Sequence, residues 1–487
     1  MIQFRTLFLS VFGLFMMACA REEIIVSEIS VQDTPIGMQA QKGRLRLKFK
    51  SRFAGKAEQA VYTRAGTGDI RIVSMKRLFP FAGKFEERTR KAGLHLWYEV
   101  EFDEQTPVTR ALALLGDTTE IEIAEPVYII RNTGGEGTVP VRSAGERNSD
   151  GTAPFNDPEL SRQWHYSNTG ELPNSVAGAD INLFAAWQKN QGSREVIVAV
   201  IDGGIDYRHE DLTGNVGNPA ELFGEPGVDD DGNGYIDDIY GWNFINGTNQ
   251  IEADDHGTHV AGTIGAENNN GVGVCGIAGG HGGNTGVWLL SCQLFGTIDG
   301  REVSASFPEM IKYAADAGAV IAQNSWGHDN ITYLPRADQE AIDYFIQYAG
   351  VDERGEQTGP MKGGVVIFAA GNENKDYRTY PAAYEKVVSV AAYAPDYKKS
   401  WYSNFADWVD IAAPGGTYGY GRKYNGECPV YSTLPDNQYG YMQGTSMACP
   451  HVSGIAALIV SQFGGPGFTP EKLLAHLYQG TRDIDVY

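Results

Sequence analysis

A set of short apolar runs constrains this chain more than any other feature. Residues 196–201, 287–290, 319–322, 365–370 and 387–392 are apolar at nearly every position, not at every second one. A strand of that kind must be buried on both faces, as strands of a covered parallel sheet are. Between the runs lie patterns of helical period, at 307–317 and 337–348. Strand alternating with helix gives an α/β domain around a mostly parallel central sheet, three layers deep. In such a sheet the reactive side chains gather just past the carboxyl ends of the strands.

Upstream the character differs. Residues 24–132 hold two alternating runs, 44–50 and 94–102, a helical stretch at 109–115 and a further extended run at 121–130. That is the pattern of a small α+β unit. Residues 133–154 are polar and Gly-rich, the composition of an exposed linker open to proteolysis. The α/β domain then occupies 155–487. At the front, residues 1–19 read as a signal peptide: Arg5 precedes an apolar run over 7–17 that is too short to span a bilayer. It ends Met16-Met17-Ala18-Cys19, which resembles the bacterial lipobox and implies a lipid anchor on Cys19, with plain secretion as the alternative. The following Ala20-Arg21-Glu22-Glu23 resembles tags that carry some bacterial lipoproteins to the cell surface. The expected location is the outer membrane or cell surface if lipidated, and secreted or periplasmic otherwise. Cys275, Cys292, Cys428 and Cys449 have no metal-site spacing and are too few for a disulfide scaffold, so they read as small buried hydrophobes.

Asp and Glu number 61 against 39 Lys and Arg, a net charge of -22. That excludes a nucleic-acid backbone binder, which needs a basic footprint. It suits an exported protein or one that binds cations.

Three segments of the α/β domain supply complementary chemistry. The strand at 196–201 runs into Asp202-Gly203-Gly204-Ile205-Asp206. Another segment reads Asp255-His256-Gly257-Thr258-His259, and a third Gly444-Thr445-Ser446-Met447-Ala448-Cys449-Pro450-His451. Acyl transfer by serine needs a hydroxyl, an imidazole to take its proton and a carboxylate to orient that imidazole. The segments contain one of each, in the order Asp, His, Ser. They resemble the signatures of subtilisin-like serine peptidases, the subtilase family, and the resemblance covers 155–487. It implies that Asp202 orients, His256 is the general base and Ser446 the nucleophile, with His256 and Ser446 each opening a helix. Pro450 then falls where first-turn amides lack an intrahelical partner. Ala369-Ala370-Gly371-Asn372-Glu373 resembles the family's oxyanion motif and gives Asn372 the donor role. Asn324-Ser325-Trp326-Gly327 resembles the strand that pairs with substrate backbone, so Ser325, Trp326 and Gly327 are the substrate-binding candidates. His209, His259 and His451 read as structural. Two positions depart from the family pattern: Gly203 stands for Ser or Thr, and Asp255 for a small residue. An extra carboxylate beside the base would raise the His256 pKa.

The stretch between Asp202 and His256 contains Asp229-Asp230-Asp231-Gly232-Asn233-Gly234-Tyr235-Ile236-Asp237-Asp238. Asp229, Asp231 and Asn233 followed by Gly234 match the first half of an EF-hand calcium loop. Tyr240 stands where that loop requires Glu, so Asp237 or Asp238 would have to close it; a solvated acidic turn is the alternative. Family resemblance suggests a second calcium site at Asp211 and Asn270. The expected cofactor is structural calcium. Residues 24–132 stand where the family carries an inhibitory propeptide, which implies a zymogen whose own propeptide occupies the site until cleavage in the linker. A permanent binding module is the other reading. The functional expectation is an exported serine endopeptidase acting on polypeptides, against a catalytically silent peptide-binding surface protein. Members of the family usually continue past a point like Tyr487, so a closing segment is expected beyond it.

Overall fold

The computed structural model describes residues 40–67, 70–116, 119–132, 139–141, 153–418 and 428–484. The signal-peptide and Cys19 readings, and most of the linker, lie outside the described residues.

The N-terminal unit comprises β1 (Ala40–Phe49), α1 (Ala57–Thr67), β2 (Ile72–Arg77), α2 (Glu86–Lys91), β3 (Trp97–Phe102), α3 (Val108–Gly116) and β4 (Ile121–Tyr128). Its four strands form an antiparallel sheet in the order β2-β3-β1-β4. One face closes on α1 and α3 through Leu45, Leu47, Phe49, Val61, Val100 and Leu115. The run read as one strand from residue 94 begins instead with a 3-10 turn, Leu94–Leu96, after a left-handed Gly93. The alternation of Leu94, His95 and Leu96 satisfies that turn as well as a strand, since both leucines are buried.

Two short strands follow, β5 (Ile130–Asn132) and β6 (Val139–Val141). The main domain continues with α4 (Leu183–Trp187), β7 (Ile197–Asp202), α5 (Pro219–Leu222), β8 (Gly241–Asn243), α6 (Asp255–Gly265) and β9 (Trp288–Gln293). Then come the hairpin β10 (Phe295–Ile298) and β11 (Arg301–Ser304), α7 (Phe307–Asp316), β12 (Ile321–Asn324), β13 (Trp326–His328) and α8 (Arg336–Tyr348). The last elements are β14 (Val365–Ala369), β15 (Val388–Tyr393), β16 (Ile411–Pro414), β17 (Val430–Leu434), β18 (Gln438–Met442), α9 (Thr445–Phe463) and α10 (Pro470–Gln479).

Seven strands make one parallel sheet, in the order β16-β15-β14-β12-β7-β9-β8. Alternate residues of β7 enter opposite cores. Val198 and Val200 pack with α6 and α9, while Ala199 and Ile201 pack with α7 and α8. This is why the run is apolar throughout: helices cover both faces. From β7 the chain moves to β8 and β9 on one side and to β12 and beyond on the other. The carboxyl ends of β7 and β12 therefore border the crevice where the order reverses, the place such sheets bind ligands.

The N-terminal unit shares the second core. Leu78, Phe79, Leu94 and Trp97 are buried with Phe307, Met310, Tyr344 and Phe345 of α7 and α8. A fully buried side chain such as Phe79 contributes about 1.5–3 kcal/mol. Glu125 of β4 caps α8, accepting the N–H groups of Arg336 and Ala337 at 2.8 and 3.1 Å. The extended run at 121–130 breaks after Tyr128 because its partner changes: β4 pairs with β1, but β5 pairs antiparallel with β13 of the main domain. Within the expected linker, β6 pairs antiparallel with β18. The described strands on either side, β5 and β6, are thus each added to strands of the main domain.

Candidate active site

Asp202 is the last residue of β7 and fully buried, and its Oδ1 meets His256 Nδ1 at 2.7 Å. Oδ1 also accepts the Gly203 N–H at 2.7 Å. His256 stands in the first turn of α6, whose N-cap is Asp254; one Asp254 oxygen accepts the N–H groups of His256 and Gly257, both at 3.0 Å. Burial pulls the His256 pKa down, but the charge and hydrogen bond of Asp202 and the charge of Asp254 outweigh it and leave the pKa raised. The further carboxylate that raises His256 is therefore Asp254, not Asp255 as the sequence suggested. Gly203 follows from the same fact. A Cβ at 203 would lie 2.2 Å from Asp254 Oδ1, so a side chain there and the Asp254 cap exclude each other.

His256 Nε2 is buried and makes no hydrogen bond among the described residues. With Nδ1–H bonded to the carboxylate, Nε2 is left as the basic nitrogen. Ser446 is the second residue of α9, at the positive end of a buried 19-residue helix that packs against α6. It is tied to Ser325, the residue between β12 and β13, in both directions. Ser446 Oγ donates to Ser325 O at 3.2 Å, and Ser325 Oγ donates to Ser446 O at 2.9 Å. The second bond corrects the first-turn explanation of Pro450. Pro450 is the sixth residue of α9, and the N–H it lacks is the one that would bond Ser446 O. The Ser325 hydroxyl takes that place.

Asn372 is turned by its carbonyl end. Asn372 Oδ1 accepts the Thr445 N–H and the Thr445 Oγ1–H, both at 2.9 Å. Thr445 Oγ1 in turn accepts the Gly371 N–H at 3.1 Å. This fixes the amide so that Nδ2 is its donor end, on the residue adjoining the N-terminus of α9. The Trp326 ring is fully buried against Phe307 and Phe368, so β13 offers its backbone to a partner rather than this ring, and Trp326 and Gly327 both border the cleft beside it. That backbone is paired with β5: Trp326 faces Asn132, Gly327 faces Arg131 and His328 faces Ile130. Beside the pair, a cleft is lined by Asp329, Ala370, Gly371, Glu373 and Thr379.

The remaining histidines of the motifs hold backbone. His209 Nε2 meets Gln438 O, His259 Nε2 meets Val430 O and Gly440 O, and His451 Nδ1 meets Met447 O. Burial holds His259 at about 3 and His451 at about 4, so both are neutral near pH 7. The four described cysteines are buried and form no disulfide among the described residues.

In the acidic loop the structure gathers a different set from the sequence. Glu221, Asp231 and Asp238 each place a carboxylate oxygen within 4.8 Å of the other two. Asp229 instead accepts the N–H groups of Asn233 and Gly234, and Asp237 accepts that of Gly227. Asn233 joins the cluster through Nδ2, which donates to Asp231 and Asp238. Burial raises Asp231 to about 8, with the Asp238 charge adding to it, and raises Asp238 to about 6. Glu221 Oε2 is buried with no donor among the described residues. Convergent, desolvated oxygens with an orphaned acceptor fit a hard divalent cation such as calcium. Glu221 was missed because it precedes the acidic run by eight residues and enters through α5. At the second expected site, Asn270 Nδ2 and the Val274 N–H donate to the two oxygens of Asp211, each at 2.8 Å.

Comparison with known proteins places this geometry. The sequence model of the Subtilase family matches residues 193–483, and that of the N-terminal region of the family matches residues 54–170. A thermophilic serine proteinase of Bacillus sp. (strain AK1) is 34% identical over 279 residues, 57% of this chain and 55% of that one. Halolysin-like extracellular serine protease Nep of Natrialba magadii is 30% identical over 323 residues, 65% of this chain and 50% of that one. The chain thus spans about half the length of these curated relatives. Among solved structures, fervidolysin from Fervidobacterium pennivorans, described as a keratinolytic enzyme related to subtilisin, gives a TM-score of 0.54 at 21% identity. It covers 89% of this chain and 56% of that one, a likeness of fold. The parallel seven-stranded sheet between helices is the subtilisin-like fold, the N-terminal unit is the propeptide domain that accompanies it, and the chain belongs to the subtilase family.

Proposed function

We propose that the protein is an exported serine endopeptidase made as a self-processing zymogen. Asp202 fixes the His256 tautomer, His256 Nε2 takes the Ser446 proton, and the hydroxyl oxygen attacks the peptide carbonyl to form an acyl-enzyme. Asn372 Nδ2 and the Ser446 N–H would receive the oxyanion, a role for which one donor typically supplies about 2.7–4 kcal/mol. The observation that carries the reading is the antiparallel β5–β13 pair. It lays this chain's own backbone against Trp326, one residue from Ser325, whose hydroxyl and carbonyl both bond Ser446. A peptide substrate would lie along β13 in the same way. Cleavage would fall within 133–154, past the first of the two added strands, and the domain plan of 24–132, linker and 155–487 is part of the proposal.

An active-site serine probe should label the wild-type chain and not Ser446→Ala, and Ser446→Ala should stay full length while the wild type loses its N-terminal unit. Labelling of both chains, or equal sizes in an active preparation, would refute the reading. A cation of calcium's chemistry is proposed between Glu221, Asp231 and Asp238, with Asn233 beside it. Asp211 and Asn270 are proposed as part of a second site. Chelator should lower the thermal-inactivation temperature of the wild type by more than that of Glu221→Gln, which keeps only the second site. Export agrees with the word extracellular in the name of the Natrialba relative. The proposed anchor at Cys19 predicts a diacylglycerol mass on the mature chain.

A further inference from the structure

The N-terminal unit rests partly on the loop that carries the acidic cluster. The Lys84 N–H donates to Gly232 O at 3.0 Å. Gly83 has φ +49, and a Cβ there would lie 2.2 Å from that same oxygen. From the other side, a Cβ on Gly234 would lie 2.6 Å from Phe81 O. The two backbones touch directly, so no flexible side chain can absorb a change in the shape of either loop. Pro80, Phe81 and Ala82 close one wall of a small cavity whose other wall includes Asn233, Tyr235 and Tyr313.

Carboxylates set the shape of that loop. The Asn233 N–H donates to Asp229 Oδ1 and Asp231 Oδ1, both at 3.0 Å, and the Gly234 N–H to Asp229 Oδ2 at 2.9 Å. Asn233 Nδ2 bridges Asp231 and Asp238 at 3.0 and 3.2 Å. Those are two of the three carboxylates that converge with Glu221, whose buried Oε2 has no donor among the described residues. A divalent cation between them would lock the turn on which residues 80–84 sit. Without it, the three carboxylates converge with no counter-charge between them, and nothing but hydrogen bonds holds the turn.

We infer that cation binding at Glu221, Asp231 and Asp238 and docking of the N-terminal unit at residues 80–84 are one linked equilibrium. The inference rests on the proposed metal site. Whatever factor the cation adds to docking, docking adds to the affinity for the cation. The unprocessed chain is the tight calcium binder, and departure of its N-terminal unit loosens the site.

The test uses the full chain carrying Ser446→Ala, which keeps the N-terminal unit attached. Calcium chloride is titrated calorimetrically, and hydrogen exchange is followed at 79–90 and 229–238 with calcium or with chelator. Calcium is expected to slow exchange in both segments, and adding Glu221→Gln to remove both effects. Adding Gly83→Ala, which forces the loops apart, should weaken calcium binding at least about fivefold, the lower end of usual couplings. Calcium binding that vanishes in Glu221→Gln, with exchange at 79–90 indifferent to calcium, would overturn the linkage and leave the metal site standing. Heats of titration unchanged by Glu221→Gln would overturn the site and the linkage together. The comparison of calcium with chelator needs no further variant, so a poorly folding Gly83→Ala chain leaves the inference testable.

Discussion

The bond from Ser325 to the Ser446 carbonyl predicts a specific non-additivity. Pro450 has no N–H and its ring crowds the carbonyl four residues earlier, so helix α9 leaves Ser446 O without its usual partner. Ser325 Oγ supplies the donor at 2.9 Å, and both residues are fully buried. Ser325→Ala should strand that carbonyl, at about 1–3 kcal/mol. It also removes the acceptor of Gln323 Nε2, a bond of 2.7 Å that adds about 0.5–1.5 kcal/mol. In a Pro450→Ala chain the new amide restores the helical bond, and only the Gln323 part remains. The interaction energy between the two substitutions should therefore be about 1–3 kcal/mol, larger than the ~0.3–0.5 kcal/mol scatter of independent sites. Urea unfolding of four chains measures it, all carrying Ser446→Ala so that none digests itself. That background keeps the carbonyl at 446 and removes only a hydroxyl, equally in every arm. A Ser325→Ala loss of the same size with and without Pro450→Ala would show that the hydroxyl does not stand in for the missing amide.

Asp254→Asn keeps the shape of the helix cap and removes its charge. The His256 pKa should fall, since that charge helps to raise it, and the acid limb of the kcat/KM profile should move to lower pH; an unmoved limb would show that Asp254 is only a cap. Glu125 is held up at about 7, first by burial, with Asp338 adding to it against Arg46. A pKa above the ordinary 4.5 means that docking favours the protonated acid. Its contribution is complete below about 4.5 and is lost as the pH rises to about 7, a swing of about 3 kcal/mol. Urea midpoints of the Ser446→Ala chain should carry that slope and those of its Glu125→Gln derivative should be flatter; parallel profiles would refute it. Arg88 bonds Asp316 at 2.5 Å, Tyr344 OH at 2.7 Å and Val351 O at 2.9 Å from within the interface. Arg88→Ala leaves buried Asp316 to Lys312 and the Tyr344 hydroxyl and removes charge-assisted bonds across the interface, a loss of about 1.5–3 kcal/mol. Limited proteolysis of the Ser446→Ala chain should then remove its N-terminal unit much faster.

What could be read in advance depended on whether a residue's neighbours in sequence are also its neighbours in space. The runs of β7, β12, β14 and β15 announced themselves because burial on both faces leaves a mark on every position. The proposed set of Asp202, His256 and Ser446 rests on local motifs, each at the end of one strand or the start of one helix. Glu221 and Asp254 were not legible in this way. Glu221 reaches the acidic cluster through a separate four-residue helix, so the run that spelled out Asp231 and Asp238 also offered Asp229 and Asp237, whose carboxylates serve backbone N–H groups instead. The Gly203 anomaly carried the missing information about Asp254. A glycine where a hydroxyl residue is usual looks like a loss until the carboxylate 51 positions later is seen to fill the space of its Cβ, at 2.2 Å. The two residues are one feature divided between a strand end and a helix cap. That division has a chemical consequence: the space a side chain after Asp202 would occupy is held here by a second carboxylate beside His256. Whether Gly203→Ser can be tolerated therefore depends on Asp254. With Asp254 present the serine must displace the cap, at about 0.5–2 kcal/mol, and with Asp254→Gly already made the three atoms nearest its Cβ are gone. The pair should lose stability in the first chain and little in the second.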